Sequence, residues 1–291
     1  MGSKFQFEFK LKRKEPVFVF AADHKIVGND HPAFADANLG RTLETIMDVT
    51  DAVILGPQSA SKYKQLFATN STPDLIVRCA LTSQFTYLDA CPQMYEVPNV
   101  IHEAESNNAS AGLLSIVLGC SPNNDMEQMK IYLEIIQKAE GKLPLVVEVA
   151  PQIYEKLRKG EIPESEKEKT VDEIRRSIHA TVSQIWESIP HRYALPVLIK
   201  TLEYADIKRL QNDFPDLRFG VLGGPREKDP FAAYEKTEKA IKEGAVSIIH
   251  GRNAVEDPYP RIYISAIKMV MAGTPAKEAY QWYQDKSAGR N

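Results

Sequence analysis

Eight short apolar runs, spread over the whole chain, restrict the possible folds of this sequence more than any other feature. Each run has five to eight residues, is rich in Val, Ile and Leu, and is bounded by Gly, Pro or polar residues. Such runs are typical of parallel strands, which are buried on both faces. They are VFVFAAD (17–23), AVILG (52–56), LIVRCA (75–80), GLLSIVLG (112–119), LPLVVEV (143–149), LPVLIK (195–200), RFGVLGG (218–224) and VSIIHG (246–251).

The spacing of these runs predicts the fold. Successive runs start between 23 and 52 residues apart, with helical periodicity between them, which is close to the length of one βα unit. Eight such units in succession predict an α/β fold, the (β/α)8 TIM barrel, whereas a doubly wound sheet rarely needs eight regularly spaced strands. We expect one barrel domain over residues 1–291, with a charged lead-in at 1–16 and a C-terminal helix and tail at 274–291.

Composition excludes several classes of protein. The 291 residues include 36 Lys and Arg against 39 Asp and Glu, for a net charge of −3, which argues against a dedicated nucleic-acid surface. No apolar run approaches the roughly 20 residues that span a bilayer, and the N-terminus lacks the apolar segment of a signal peptide. Three cysteines without CxxC spacing fit reduced thiols. We therefore expect a cytoplasmic protein that binds neither membranes nor nucleic acid.

Charged residues inside the apolar runs are the first candidates for chemistry, because a barrel carries its reactive groups at the C-terminal ends of its strands. Lys200 ends the run LPVLIK, so its stem is expected inside the barrel. Burial favours the neutral, nucleophilic amine, which can form a Schiff base with a carbonyl substrate. The alternative is a structural ion pair with Glu148 or Glu203. Glu148 in turn is either a general acid/base or the partner of Lys200.

Glycines follow the seventh and eighth runs, where barrel enzymes commonly hold a phosphate. Gly223 and Gly224 end one run, and Gly251 and Arg252 follow the other. Glycine lets backbone N–H groups approach phosphate oxygens, and an arginine adds a bidentate charge. The alternatives are tight-turn geometry for the glycines and a salt bridge at the rim for the arginine. Because both features occur together at the two expected strands, we favour a phosphate site.

Two other features have weaker implications. His24, His31 and His250 could hold a zinc ion, but their spacing matches no specific motif, so we expect no metal. An aromatic cluster near the C-terminus favours packing or a subunit interface over a cofactor site, and we expect a homo-oligomer. Its members are Tyr259, Tyr263, Tyr280, Trp282 and Tyr283.

Four motifs together resemble one known group of enzymes. They are AADHK on the first predicted strand, VLIKT on the sixth, VLGGP on the seventh and IIHGRN on the eighth. In order and spacing they are similar to the class I, Schiff-base-forming aldolases of the DeoC/DhnA/LacD superfamily. This group includes archaeal-type fructose-bisphosphate aldolases, tagatose-bisphosphate aldolases and sulfofructose-phosphate aldolases. The resemblance extends from about residue 17 to 285.

The resemblance implies a role for each matching residue. Lys200 takes the Schiff-base role and Asp23 that of the strand-one aspartate, whose alternative is a carboxylate that ties down a loop. Gly223, Gly224, Gly251 and Arg252 match the residues that bind the phosphate group. We add Arg78 and His24 at strand ends as substrate-binding candidates.

The sequence also departs from part of this group. Archaeal-type fructose-bisphosphate aldolases carry a catalytic tyrosine in a WSYPRG-like motif on strand five. Here that stretch is Glu148-Val149-Ala150-Pro151, with Ala150 in the place of the tyrosine, and tagatose-bisphosphate-type members use a glutamate that Glu148 matches. DHG has likewise become DHK, which puts Lys25 beside the expected site. Glu148 is therefore the predicted acid/base.

These observations predict a metal-independent aldehyde-lyase that needs no cofactor. It would cleave or form a C–C bond in a phosphorylated or sulfonated ketose through a Schiff base on Lys200, with Glu148 and Asp23 as the other catalytic residues. A second possibility is a Schiff-base transferase of acyl or ketol units on a phosphorylated sugar. A third is a barrel that binds a sugar phosphate without catalysis.

Overall fold

A computed structural model describes residues 6–23, 32–68, 73–82, 94–96, 100–119, 121–158, 160–190, 195–224, 226 and 229–289. The strands are β1 (Val17–Ala21), β2 (Ala52–Leu55), β3 (Asp74–Arg78), β4 (Ala80–Thr82), β5 (Met94–Glu96), β6 (Ala111–Ile116), β7 (Leu145–Val149), β8 (Val197–Thr201), β9 (Arg218–Leu222) and β10 (Ser247–His250). The helices are α1 (Gln6–Lys12), α2 (Asp36–Ile46), α3 (Pro57–Tyr63), α4 (Val100–Ser106), α5 (Pro122–Ala139), α6 (Ile153–Arg158), α7 (Lys167–Ser188), α8 (Ile207–Asp213), α9 (Pro230–Lys242), α10 (Arg252–Val255), α11 (Pro260–Met271) and α12 (Ala276–Ala288).

Eight of the strands close into a parallel barrel, which confirms the predicted TIM-barrel fold. The order around the barrel is β1, β2, β3, β6, β7, β8, β9 and β10, which pairs again with β1. Each of the eight apolar runs supplies one barrel strand. The sequence did not predict β4 and β5, which pair with each other antiparallel after β3. Neither is long enough to produce an apolar run, so the pattern that marks barrel strands does not detect them.

The inside of the barrel is packed with apolar side chains from alternate strand positions. Val19, Ile54, Leu113 and Leu198 belong to this interior cluster. Because side chains alternate between the two faces of a strand, the residues two positions further along point the same way. The C-terminal end of the barrel interior is therefore where polar side chains at the strand ends come together.

Helix α1 closes the opposite, N-terminal end of the barrel. It lies within the segment predicted as a charged lead-in, but Phe7 and Leu11 on it are fully buried and join the interior cluster. The Nε of Arg218, the first residue of β9, donates a hydrogen bond of 2.8 Å to the carbonyl of Leu11. The charged composition of the segment concealed this short amphipathic helix.

Helix α9 begins and ends at residues with typical capping roles. Asp229 accepts a hydrogen bond from the N–H of Phe231 and caps α9, Pro230 takes the first helical position, and Gly244 ends the helix at φ +103°. The predicted C-terminal helix is present as α12.

Tyrosines from α9, α11 and α12 pack ring against ring, namely Tyr234, Tyr263, Tyr280 and Tyr283. Within the described residues, no helix is both long and apolar enough to cross a membrane.

Candidate active site

Lys200 and Glu148 form an ion pair inside the barrel. They are register partners on β8 and β7, and both follow interior residues by two positions, so both point inward. Lys200 Nζ lies 3.3 Å from Glu148 Oε1, and the residues are 3% and 6% exposed. The predicted burial of Lys200 is confirmed. Of the two candidate partners, Glu148 is the one in contact, whereas Glu203 pairs with Lys236 at 2.5 Å.

Arg78, at the end of β3, connects the two carboxylates of the site. Its Nε donates to Asp23 Oδ2 at 2.7 Å, and its Nη2 lies 2.5 Å from the same oxygen and 3.4 Å from Glu148 Oε2. Its Nη1 donates to Ser115 Oγ at 2.8 Å. The residue is 2% exposed. Arg78 was predicted to bind substrate, and here its guanidinium is held by protein groups beneath the mouth of the barrel.

Ser115 is a member of this cluster that the sequence analysis did not select. It is the register partner of Glu148 on β6, is fully buried, and donates a hydrogen bond of 2.6 Å to Glu148 Oε2. Its signal in the sequence was the single polar residue within the apolar run GLLSIVLG, the same kind of anomaly that selected Lys200. A serine is less conspicuous because a buried hydroxyl costs far less than a buried charge.

The charges of the cluster compensate one another. Burial by itself raises the pKa of Glu148, but the cations of Lys200 and Arg78 and the hydroxyl of Ser115 hold that pKa below its usual range. Burial lowers the pKa of Arg78, and the carboxylates of Asp23 and Glu148 more than restore it. With two carboxylates against two cations, a buried site of this kind can retain ionised groups.

The predicted phosphate residues lie together at the ends of β9 and β10. The Gly223 N–H donates to the carbonyl of Ile249 at 2.9 Å, and Gly224 has φ +65°, which favours glycine. Arg252 follows Gly251 and is the first residue of α10. Asn253, from the same GRN motif, donates through Nδ2 to the Gly223 carbonyl at 2.8 Å and so joins the two loops.

Position 223 also needs a glycine because the ring of His250 lies very close to it. A Cβ built on Gly223 would lie 2.2 Å from His250 Cδ2. His250 is on the outer side of β10, where its Nδ1 lies 2.9 Å from the hydroxyl of Tyr263 and its ring packs edge-on against Phe18. Burial lowers its pKa to about 4, which favours the neutral imidazole.

Three residues of the sequence analysis, His24, Lys25 and His31, lie outside the described residues. In the part of the chain that the structure describes, no group of three or more His, Cys, Asp or Glu side chains could hold a metal ion. Ala150, in the place of the tyrosine of archaeal-type aldolases, follows β7 and packs into the core between barrel and helices.

Comparison of the structure with solved structures identifies the fold more closely. A Schiff-base-forming fructose-1,6-bisphosphate aldolase has a TM-score of 0.68 and 21% identity, over 93% of this chain and 100% of that one. An archaeal fructose-1,6-bisphosphate aldolase, with its catalytic Lys bound to the carbinolamine intermediate, has a TM-score of 0.67 and 20% identity, over 94% and 100%. This chain has the fold of the Schiff-base aldolases.

Fructose-bisphosphate aldolase from Slackia heliotrinireducens has the same fold, with a TM-score of 0.66 and 11% identity over 98% of this chain and 90% of that one. At the level of fold these structures confirm the resemblance predicted from the four motifs. No model of a known protein family matches the sequence, and neither does any curated protein.

Proposed function

We propose that this protein is a class I aldolase that acts on a phosphorylated or sulfonated ketose. The observation that carries the proposal is the ion pair of Lys200 and Glu148, buried near the C-terminal ends of the strands of an aldolase-type barrel. A lysine is rarely buried there without a partner or a function. The carboxylate of Glu148, 3.3 Å from Lys200 Nζ, can accept a proton from the ammonium group. Loss of that proton produces the amine nucleophile.

The reaction then follows from the placement of these groups. The neutral Nζ of Lys200 attacks the C2 carbonyl of the ketose to give a carbinolamine. Glu148 returns its proton to the hydroxyl of the carbinolamine, which leaves as water, and an iminium and an ionised Glu148 result. Glu148 Oε1 accepts the proton of the C4 hydroxyl as the C3–C4 bond breaks, and the electron pair of that bond passes into the iminium to give an enamine. The aldehyde leaves, the enamine is protonated at C3, and water releases the second product from Lys200.

The phosphate or sulfonate of the substrate would bind at the adjoining loops. Gly223, Gly224, Gly251 and Arg252 would surround such an anion, with the backbone N–H of Gly224 and the guanidinium of Arg252 as donors, and Asn253 keeps the two loops together. Asp23 is proposed as a catalytic residue that orients substrate hydroxyls while Arg78 holds it. His24 stays a predicted contact to the substrate. We further propose a cytoplasmic homo-oligomer formed of one barrel domain per chain.

Reductive trapping tests the proposal directly. The protein is mixed with borohydride and, in separate reactions, fructose 1,6-bisphosphate, tagatose 1,6-bisphosphate, a sulfofructose phosphate and dihydroxyacetone phosphate, and its intact mass is measured. We expect a stable adduct with at least one of them, mapped to Lys200 by peptide mass spectrometry. The control, Lys236→Met, removes a half-exposed lysine on α9 and should form the adduct unchanged.

The products distinguish the alternatives. Release of a free aldehyde with the trapped ketose supports an aldolase. Turnover that occurs only when a second sugar accepts the fragment would replace the aldolase by a transferase. Tight binding of a sugar phosphate without any trapped adduct would replace it by a barrel that binds but does not catalyse.

A further inference from the structure

The hydrogen bonds around Glu148 run in one direction. Arginine has only donors, so Arg78 Nη1 must donate to Ser115 Oγ at 2.8 Å. The hydroxyl proton of Ser115 is then directed to Glu148 Oε2, 2.6 Å away. Arg78, Ser115 and Glu148 thus form a chain of two hydrogen bonds. No proton moves along this chain, because the arginine stays charged, but the chain orients the carboxylate of Glu148.

This hydrogen-bond chain gives the two carboxylate oxygens of Glu148 different partners. Oε2 accepts the hydroxyl of Ser115 and lies 3.4 Å from Arg78 Nη2, whereas Oε1 lies 3.3 Å from Lys200 Nζ. A carboxylate oxygen that accepts strong donors is the less basic of the pair. The oxygen on the side of Lys200 is thus left to exchange protons.

We propose that Ser115 is a positioning residue that, together with Arg78, fixes Glu148 so that Oε1 alone exchanges protons with Lys200 and the substrate. This inference rests on the proposed aldolase function, which it extends by one residue. Ser115 itself touches no reacting atom in this scheme. It acts by donating to Oε2 and by supplying an acceptor to a buried guanidinium that would otherwise lose one.

The charges that face Glu148 come from several strands around the barrel. Lys200 on β8 and Arg78 on β3 are the cations, and Asp23, which follows β1, is the second carboxylate. Ser115 on β6 is the neutral donor. Removing its hydroxyl leaves these three charges in place, so a change in the protonation of Glu148 reports the loss of the hydrogen bonds that Ser115 makes with Glu148 and Arg78.

The test measures the protonation of Glu148 without substrate. Protein labelled with ¹³C at the glutamate carboxyls is titrated by NMR, and the Glu148→Gln variant assigns the signal. In Ser115→Ala we expect the midpoint of Glu148 to rise by about one pH unit, a tenfold change in proton affinity, from the typical strength of a hydrogen bond to a charged group. Ser115→Thr, which keeps the hydroxyl, should retain the wild-type midpoint.

Ser247→Ala is the matched control. Ser247 is another fully buried serine on a barrel strand, β10, three strands away from Glu148, and its Oγ makes no hydrogen bond within the described residues. This variant should leave the titration of Glu148 unchanged. If Ser115→Ala does not fold, Ser115→Cys, with a weak thiol donor, provides the same comparison.

Kinetics with the trapped ketose give a second readout. Ser115→Ala should lower kcat by roughly tenfold with little change in KM, and should move the acidic limb of the pH profile upward. A titration and pH profile like those of Ser247→Ala would overturn the positioning role even if kcat falls. A wild-type protein that forms no adduct overturns the aldolase instead, and the NMR titration still decides whether Ser115 controls Glu148.

Discussion

Glu148 Oε1 and Lys200 Nζ lie 3.3 Å apart because their strands, β7 and β8, are paired with these two residues in register. A slip of one residue on either strand would turn one of the two side chains to the outer face of the barrel. The hydrogen bonds of the barrel therefore determine the geometry of this ion pair.

Lys200→Met should abolish the borohydride-trapped adduct, because it removes the amine that attacks the carbonyl. Intact mass spectrometry after reduction measures this directly. Lys25, which follows Asp23 by two residues, is the competing amine, so peptide mapping of the wild-type adduct must identify the modified lysine. An adduct mapped to Lys25 would move the nucleophile to the end of the first strand.

Glu148→Gln should act differently, because the amide keeps the volume of the side chain but cannot accept a proton. The imine can still form, whereas cleavage of the C–C bond slows. General acid–base catalysis typically contributes about 10²–10⁴-fold, so kcat should fall by that order while the trapped adduct accumulates. Near-normal turnover in this variant would leave Glu148 only as the ion-pair partner of Lys200.

Arg252→Ala should weaken catalysis through lost binding of the substrate anion. The loss of a charge-assisted bidentate contact is expected to cost about 2–4 kcal/mol in kcat/KM. The penalty should shrink for an analogue without the phosphate or sulfonate. Arg261→Ala, which removes an exposed arginine paired with Asp48, is the control and should leave kcat/KM unchanged. Equal losses of Arg252→Ala on both substrates would make that arginine structural.

Chelation should not affect the activity. In a Schiff-base mechanism the iminium supplies the electron sink, so no divalent ion is needed to stabilise the enamine. Rates are to be compared before and after treatment with EDTA and after addition of zinc. Activity that disappears with EDTA and returns with zinc would favour a metal site at His24, His31 and His250 over the lysine mechanism.

Asp74→Asn should change how stability depends on pH. Asp74 begins β3 at the closed end of the barrel, and burial raises its pKa to about 6 although Ser110 Oγ donates to it at 2.6 Å. The folded state holds this proton more tightly than the unfolded state, so protonated Asp74 contributes to the free energy of unfolding. This contribution is complete below pH about 4 and is lost as the pH rises to about 6. The variant should therefore gain stability relative to wild type at neutral pH, on the order of 1–3 kcal/mol.

The measurement is Tm of both proteins across this range. The difference in Tm between Asp74→Asn and wild type should be larger near pH 7.5 than near pH 4. Asp51 provides a control of opposite sign: burial raises its pKa, but Lys10, Lys268 and the N–H of Phe18 hold it below the usual value. Asp51→Asn should be most destabilising at neutral pH. Parallel curves for Asp74→Asn and wild type would contradict the prediction.

The sequence by itself determined the barrel and the charged strand ends that form the candidate site. Strands buried on both faces need continuous apolar runs, and a charge within such a run, as at Lys200 or Glu148, is conspicuous because burying it is costly. The start of α9 also depends on a local signal, since Asp229 and Pro230 act on neighbouring residues. All of these signals are local, and local signals survive in a one-dimensional pattern.

The tertiary structure alone decided which of these groups touch. Arg78 is 55 residues from Asp23 and 70 from Glu148 along the chain, so only the order and register of the closed barrel bring them together. The same strand register places Ser115 beside Glu148 on the neighbouring strand. The closure of the barrel by Phe7 and Leu11 of α1 is likewise a contact between distant segments. Pairing across strands depends on the stagger of the whole sheet, which no single run of sequence encodes.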